Sequence, residues 1–301
     1  MWYYIRVNFQ WYPGHMTKAK RMMQEDVKLV DLIIELLDAR IPLASRNPDI
    51  DELARGKSRL ILLNKSDLAD KRETEGWKAY FEKQGISVLT VNSLNSADMK
   101  QINSAVASAC AEKIERDRKR GIKNRPVRAM VCGIPNVGKS TFINTYAKKA
   151  AAKTGNKPGV TKGKQWIRLS NTLELLDTPG ILWPKFEDQS VGLKLALIGS
   201  IKDEIMNIED LSYELIRMLD ERYPDSLKGF YGLEDVDVSG YLPENTINEI
   251  APELITLYKI ARARGCIRAG GQLDTLKAAN LLLENFRNGK IGRFSLESAA
   301  K

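Results

Sequence analysis

Three short runs of residues in this chain could do chemistry on a nucleotide. Gly133-Ile134-Pro135-Asn136-Val137-Gly138-Lys139-Ser140 fits the phosphate-binding pattern G-x-x-x-x-G-K-[ST]. Glycines let such a loop turn tightly, so that its backbone N–H groups point at phosphate oxygens. The lysine reaches the β- and γ-phosphates and the serine hydroxyl ligates Mg²⁺. Asp177-Thr178-Pro179-Gly180 follows it. Asp177 is placed to hold Mg²⁺ through water, and Gly180 can offer its N–H to a γ-phosphate with no side chain in the way. Asn64-Lys65-Ser66-Asp67 has the form that reads guanine. The Asp67 carboxylate accepts from the ring N–H and the exocyclic amine, a pair adenine lacks, and an unpaired buried carboxylate is costly. Lys65 can lie along the base plane. In an ordinary GTPase this third motif follows the phosphate loop; here it precedes it. A site is defined by positions in space, so either order can build it.

Other residues complete the expected site. Thr161, in Lys157-Pro158-Gly159-Val160-Thr161, lies between the phosphate loop and Asp177 and is read as the switch threonine with its hydroxyl on Mg²⁺; a plain Pro-Gly turn is the alternative. Asn92-Ser93 would support the base through backbone and side chain. The expected nucleotide contacts are therefore Asn64, Lys65, Ser66, Asp67, Asn92, Ser93, Asn136, Val137, Gly138, Lys139, Ser140, Thr141 and Gly180. Ser140, Thr161 and Asp177 are the Mg²⁺ set, and Lys139 and Thr161 have catalytic roles on GTP, with GDP as product.

These motifs need strands that end where they begin. Leu32–Leu37 reads as a buried strand ending at Asp38-Ala39-Arg40. Arg59–Leu63 runs into Asn64, Ser87–Val91 ends at Asn92-Ser93, and Val127–Cys132 feeds the phosphate loop. Gln165–Leu169 and Leu173–Leu176 form a hairpin around Ser170-Asn171, and helices are expected from about Thr17, over 98–120 and over 139–149. Short apolar strands alternating with helices predict an α/β fold: a mostly parallel sheet with helices on both faces and every motif at a strand's carboxyl end. After about Gly199 the pattern becomes helical, with amphipathic stretches at Glu204–Tyr223, Thr246–Arg264 and Gln272–Asn285. The expected domains are 1–200, binding nucleotide, and 201–301, a smaller all-helical domain that binds RNA or ribosome.

Composition sets outer bounds. At 301 residues and 43% hydrophobic the chain can bury a core, and its net charge of +9 suits an anionic partner, although solubility alone accounts for such a charge. No apolar run reaches the ~18 residues that span a bilayer, and the N-terminus does not read as a signal or transit peptide. Cys110, Cys132 and Cys266 are odd in number and in no metal-ligand spacing, which predicts free thiols in a reducing cytoplasm.

The combined motifs resemble the circularly permuted P-loop GTPases. With Trp11-Tyr12-Pro13-Gly14-His15-Met16, Asp38-Ala39-Arg40-Ile41-Pro42 and Gly289-Lys290-Ile291-Gly292-Arg293-Phe294 added, nearly the whole chain is similar to the ribosome biogenesis GTPase A (RbgA) family. The resemblance implies a ribosome-stimulated GTPase that drives a late step in assembly of the large (50S) subunit. Its partners would be rRNA and ribosomal proteins of the precursor, with no DNA or membrane, and the protein would be a cytoplasmic monomer. Many GTPases orient the attacking water with a Gln directly after the switch glycine; this chain has Ile181 there. In the family the histidine matching His15, the single histidine of the chain, is proposed for that role. A helix-capping surface histidine is the alternative. In potassium-activated GTPases an Asn at the position of Asn136 ligates K⁺ beside the phosphates; a residue that merely tolerates a turn is the alternative.

Two stretches could face RNA. Lys113–Arg128 and Lys259–Arg293 each carry eight basic and two acidic residues. Phosphate contact with folded rRNA is the functional reading and a solvated helix face the other. A non-catalytic, nucleotide-stabilised rRNA-binding scaffold is the rival for the whole chain: Ile181 suits it, whereas Lys139, Ser140, Thr161 and Asp177 oppose it.

Overall fold

Leu32–Asp38 (β1) is Leu-Ile-Ile-Glu-Leu-Leu-Asp, and all seven residues are buried. Such a run has no solvent face and belongs at the middle of a parallel sheet. The computed structural model, which describes residues 21, 23–122, 125–154, 166–176, 188–201, 207–242 and 251–299, puts it there. Ser58–Asn64 (β2), Ser87–Thr90 (β3), Val127–Cys132 (β4), Trp166–Arg168 (β5) and Leu173–Leu176 (β6) complete a six-stranded sheet in the order β3-β2-β1-β4-β6-β5. All pairings are parallel except β5 with β6, the expected hairpin. The chain builds outward from β1 through β2 to β3, then crosses to the other side of β1 with β4. The crevice beyond the carboxyl ends of β1 and β4 is the place where open α/β sheets take ligands.

Glu35 interrupts the apolar run of β1 and is ion-paired with Arg46 and Arg59, which also meet Asp51. On the helical side, Lys71–Lys83 (α1) starts at Asp70, whose carboxylate accepts from the Arg72 and Glu73 N–H groups. Trp77 and Phe81 bury against Leu37, Ile61 and Leu63. The expected 98–120 helix is divided into a 3-10 turn at Asp98–Lys100, Ile102–Ala109 (α2) and Ala111–Lys119 (α3), with the break at buried Cys110. Lys139–Thr154 (α4) follows the phosphate loop.

The chain divides into two compact units. Asp188–Leu296 lies in one, and Phe9–Glu187 with Glu297–Lys301 in the other. The first is helical through Gln189–Leu197 (α5), Ile208–Arg222 (α6), Ser226–Tyr231 (α7), Pro252–Ala263 (α8) and Thr275–Arg287 (α9). Its core comes from helical spacing: Leu211, Leu215, Ile216 and Leu219 of α6, Leu257, Ile260 and Ala261 of α8, and Ala278, Ala279, Leu282, Leu283 and Phe286 of α9 are all buried. Asn207 caps α6 by accepting from Glu209 and Asp210 N–H, and Asp274 caps α9 by accepting from Lys277 N–H.

Candidate nucleotide site

β1, β2 and β3 end in polar residues, and the parallel register brings those ends beside the end of β4, from which the phosphate loop leaves. Asp38 pairs with Asn64 across β1 and β2, and the Ala39 N–H donates to Asn64 O at 2.8 Å. Asn64 is the hub. Its Nδ2 donates to Val137 O of the phosphate loop at 2.7 Å. Its Oδ1 accepts from Ser93 N–H at 2.9 Å and Ser93 Oγ at 2.8 Å. One buried amide thus joins the Asn64–Asp67 loop, the loop after β3 and the phosphate loop. Asn92 shapes its own turn, with Oδ1 accepting from Leu94 N–H at 2.8 Å and its N–H donating to Asp98 Oδ2 at 2.7 Å.

The glycines of the phosphate loop are required by close approach. A Cβ at Gly138, where φ is +101°, would fall on Asn64 Nδ2. A Cβ at Gly133 would stand 2.6 Å from Leu36 O. Lys139 is buried, and its ammonium donates to Gly133 O and Ile134 O at 2.9 Å each. Ser140 is exposed at the start of α4, Thr141 is half-buried beside it, and Val137 is buried under the loop. The N-terminus of α4 offers N–H groups and its positive dipole end to an anion. Asn136 is exposed with φ +58°, a conformation Asn tolerates better than most residues.

The Asn64–Asp67 loop has a support that its motif does not announce. Asp38 and Arg40 are 0% and 1% exposed. Arg40 Nε donates to Asp38 Oδ1 at 2.9 Å, and Arg40 Nη2 donates to Oδ2 at 2.8 Å, a two-point pair. Lys65, held at φ +57°, puts Nζ 3.2 Å from Asp38 Oδ2. Burial alone would raise the Asp38 carboxyl, but the Arg40 charge, then Lys65, hold it well below the usual carboxylate range. Ser66 N–H donates to Val91 O at 3.3 Å, and Asp67 stays partly exposed at the open end of the loop. The sequence signal for this support is a pair of charges, in Asp38-Ala39-Arg40, at the end of a wholly buried strand.

His15, Thr161, Asp177, Gly180 and Ile181 lie outside the described residues. Of the three residues expected to hold Mg²⁺, Ser140 alone lies among the described residues, with its side chain exposed. No cluster of three or more His, Cys, Asp or Glu residues that could hold a metal occurs among the described residues. No helix among them is long and apolar enough to cross a membrane.

A family model described as "50S ribosome-binding GTPase" matches residues 128–240. The chain is 47% identical over 290 residues to "Ribosome biogenesis GTPase A" of Bacillus cereus, covering 96% of this chain and 93% of that one. Two solved structures are similar along most of the chain. GNP-bound YlqF from T. maritima has a TM-score of 0.66 and 27% identity, covering 94% of this chain and 99% of that one. The GDP-bound form of TM YlqF has a TM-score of 0.65 at 27% identity, covering 92% and 99%.

Proposed function

Because the chain belongs to the ribosome biogenesis GTPase A family, we propose that it binds and hydrolyses GTP to drive a late step in assembly of the large ribosomal subunit. The observation that carries the nucleotide part is the Asn64 amide, which holds the guanine-reading loop, Ser93 and the phosphate loop in one site despite their reversed chain order. Asn64, Lys65, Ser66 and Asp67 read the base. Val137, Gly138, Lys139, Ser140 and Thr141 cradle the phosphates. Lys139, which now donates to two loop carbonyls, would exchange them for phosphate oxygens.

Ser140, with Thr161 and Asp177 from the switch segments, would hold Mg²⁺, which neutralises charge that develops between the β- and γ-phosphates. The exposed Asn136 amide supports K⁺ at the phosphates. Its left-handed backbone serves the turn in either case. With Ile181 unable to hydrogen-bond, the water is oriented from elsewhere, and His15 takes that role when the ribosomal precursor docks.

The partner is the precursor of the large subunit, met by the helical unit and by the basic stretch on α3. The protein works in the cytoplasm as a monomer. Hydrolysis by pure protein in KCl, alone and with purified 50S or 30S subunits, tests this reading. Strong stimulation by 50S only is expected. No stimulation by either, with GTP still bound, would leave the scaffold role instead.

A further inference from the structure

Residues 297–299 belong to the nucleotide-binding unit and close on the loop beside the guanine-reading lysine. The Glu297 carboxylate, 8% exposed, accepts from Leu43 N–H at 2.8 Å through Oε2 and from Ala44 N–H at 3.1 Å through Oε1. The Glu297 carbonyl faces the Trp77 indole N–H at 3.5 Å. Ser298 Oγ and Ala299 N–H both donate to Glu73, at 3.0 and 3.2 Å. Ala299 packs with Trp77 and Phe81, and a Cβ at Gly76 would stand 3.1 Å from the Ala299 Cβ.

The loop so gripped runs from Asp38 to Ser45. Ser45 Oγ accepts from Asp38 N–H at 3.0 Å and donates to Pro42 O at 3.2 Å. Asp38 in turn holds Lys65. The contacts thus run from Glu297 through the backbone of 43–44, Ser45 and Asp38 to the Lys65 ammonium. Two charge-assisted hydrogen bonds to backbone N–H groups are a strong and directional grip.

We propose that Glu297 is a positioning residue for guanine recognition, holding the Asp38–Ser45 loop so that Asp38 keeps Lys65 in place beside the base. The inference rests on the reading of Asn64–Asp67 as the guanine site. Glu297 directly follows the last residue of the helical unit, so guanine affinity depends on a residue delivered by the chain leaving that unit.

The test uses the full chain, a fluorescent GDP analogue, and four proteins: wild type, Glu297→Gln, Lys65→Met and the double variant. Thermal melts establish that each is folded. Glu297→Gln should weaken GDP binding about fivefold, the scale of effects relayed through packed networks. In the Lys65→Met background the same change should cost nothing further, because the lysine it acts through is gone. Ser45→Ala enters the same chain of contacts one step closer to Asp38 and should repeat the pattern if Glu297→Gln does not fold. Folded Glu297→Gln with wild-type affinity would overturn the proposal, as would an equal loss in both backgrounds, which marks a general structural role. Wild type that does not prefer GDP to ADP would instead overturn the guanine-site reading, a separate failure.

Discussion

Asn64 and Asp38 sit side by side at the ends of β2 and β1, and each concentrates several contacts in one buried side chain. Replacing Asn64 with Ala would leave Val137 O and Ser93 N–H without their partner inside the protein. The expected cost is about 2–4 kcal/mol, divided between folding and nucleotide affinity, and calorimetric titration with GDP should show at least a roughly tenfold loss. Asp38 gives a pH prediction. Its folded carboxyl lies below its unfolded value, so its stabilisation is present above the unfolded pKa of about 4 and disappears as pH falls toward the folded value. Asp38→Asn removes the carboxylate that neutralises the buried Arg40 charge and should cost about 3–5 kcal/mol near neutral pH. Urea melts at about pH 7 and pH 3 should show the difference between wild type and variant shrinking at the lower pH; a constant difference would mean that the carboxylate does not act through its charge. The Asn64 motif was legible in the sequence because its form is fixed. Its link to Val137 was not, since partners 73 residues apart leave no local signal.

Apolar runs located β1, β2 and β4 among the described residues, because these strands are largely buried and so mostly apolar. The break between α2 and α3 was not visible, since Cys110 is a buried apolar residue of ordinary helical kind. The structure also sorts the basic stretches. Lys113 is ion-paired with Asp31 and Asp117, and Arg128 meets Glu174 at 3.4 Å and covers the Trp166 ring. Arg264 lies over Phe230 and Tyr231 and donates to Phe230 O at 2.8 Å, while Arg268 pairs with Asp274. Each of these cations makes a contact within its own unit; Arg116, Lys119 and Arg120 are exposed on α3 and just past its end. Changing the last three to Ala should reduce the salt slope of precursor binding by about one for each phosphate no longer neutralised, as measured by binding at graded KCl. Arg264→Ala should leave that slope alone and cost about 1 kcal/mol in thermal melts. Packing within elements also sets the reactivity of the cysteines. All three are buried, and burial first of all pushes their thiols up. A thiol reagent at about pH 8 should therefore react slowly with native protein and should titrate three thiols once the chain is denatured.

The permutation decides how the two units are joined. In this order the switch segment after Asp177 leads directly into the helical unit, which begins at Asp188, and the chain leaves that unit at Leu296 to return to the nucleotide-binding unit. The first connection was legible from motif order alone. The return was not, because Glu297-Ser298-Ala299 has no pattern that names Leu43, Ala44 or Glu73 as its partners. A γ-phosphate that orders Thr161 and Gly180 would act at the entrance to the helical unit, and hydrolysis would release that constraint. The GTP form should bind a large-subunit precursor more tightly than the GDP form, by about 5- to 150-fold if the coupling is of ordinary size. Linkage then demands that precursor tighten a non-hydrolysable GTP analogue relative to GDP by the same factor, so the two ratios check each other. Both can be read from fluorescence titrations at one KCl concentration. Equal precursor affinity in the two nucleotide states would remove the switch. Unequal ratios in the two directions would mean that a third state, such as precursor with its own nucleotide-independent site, shares the binding.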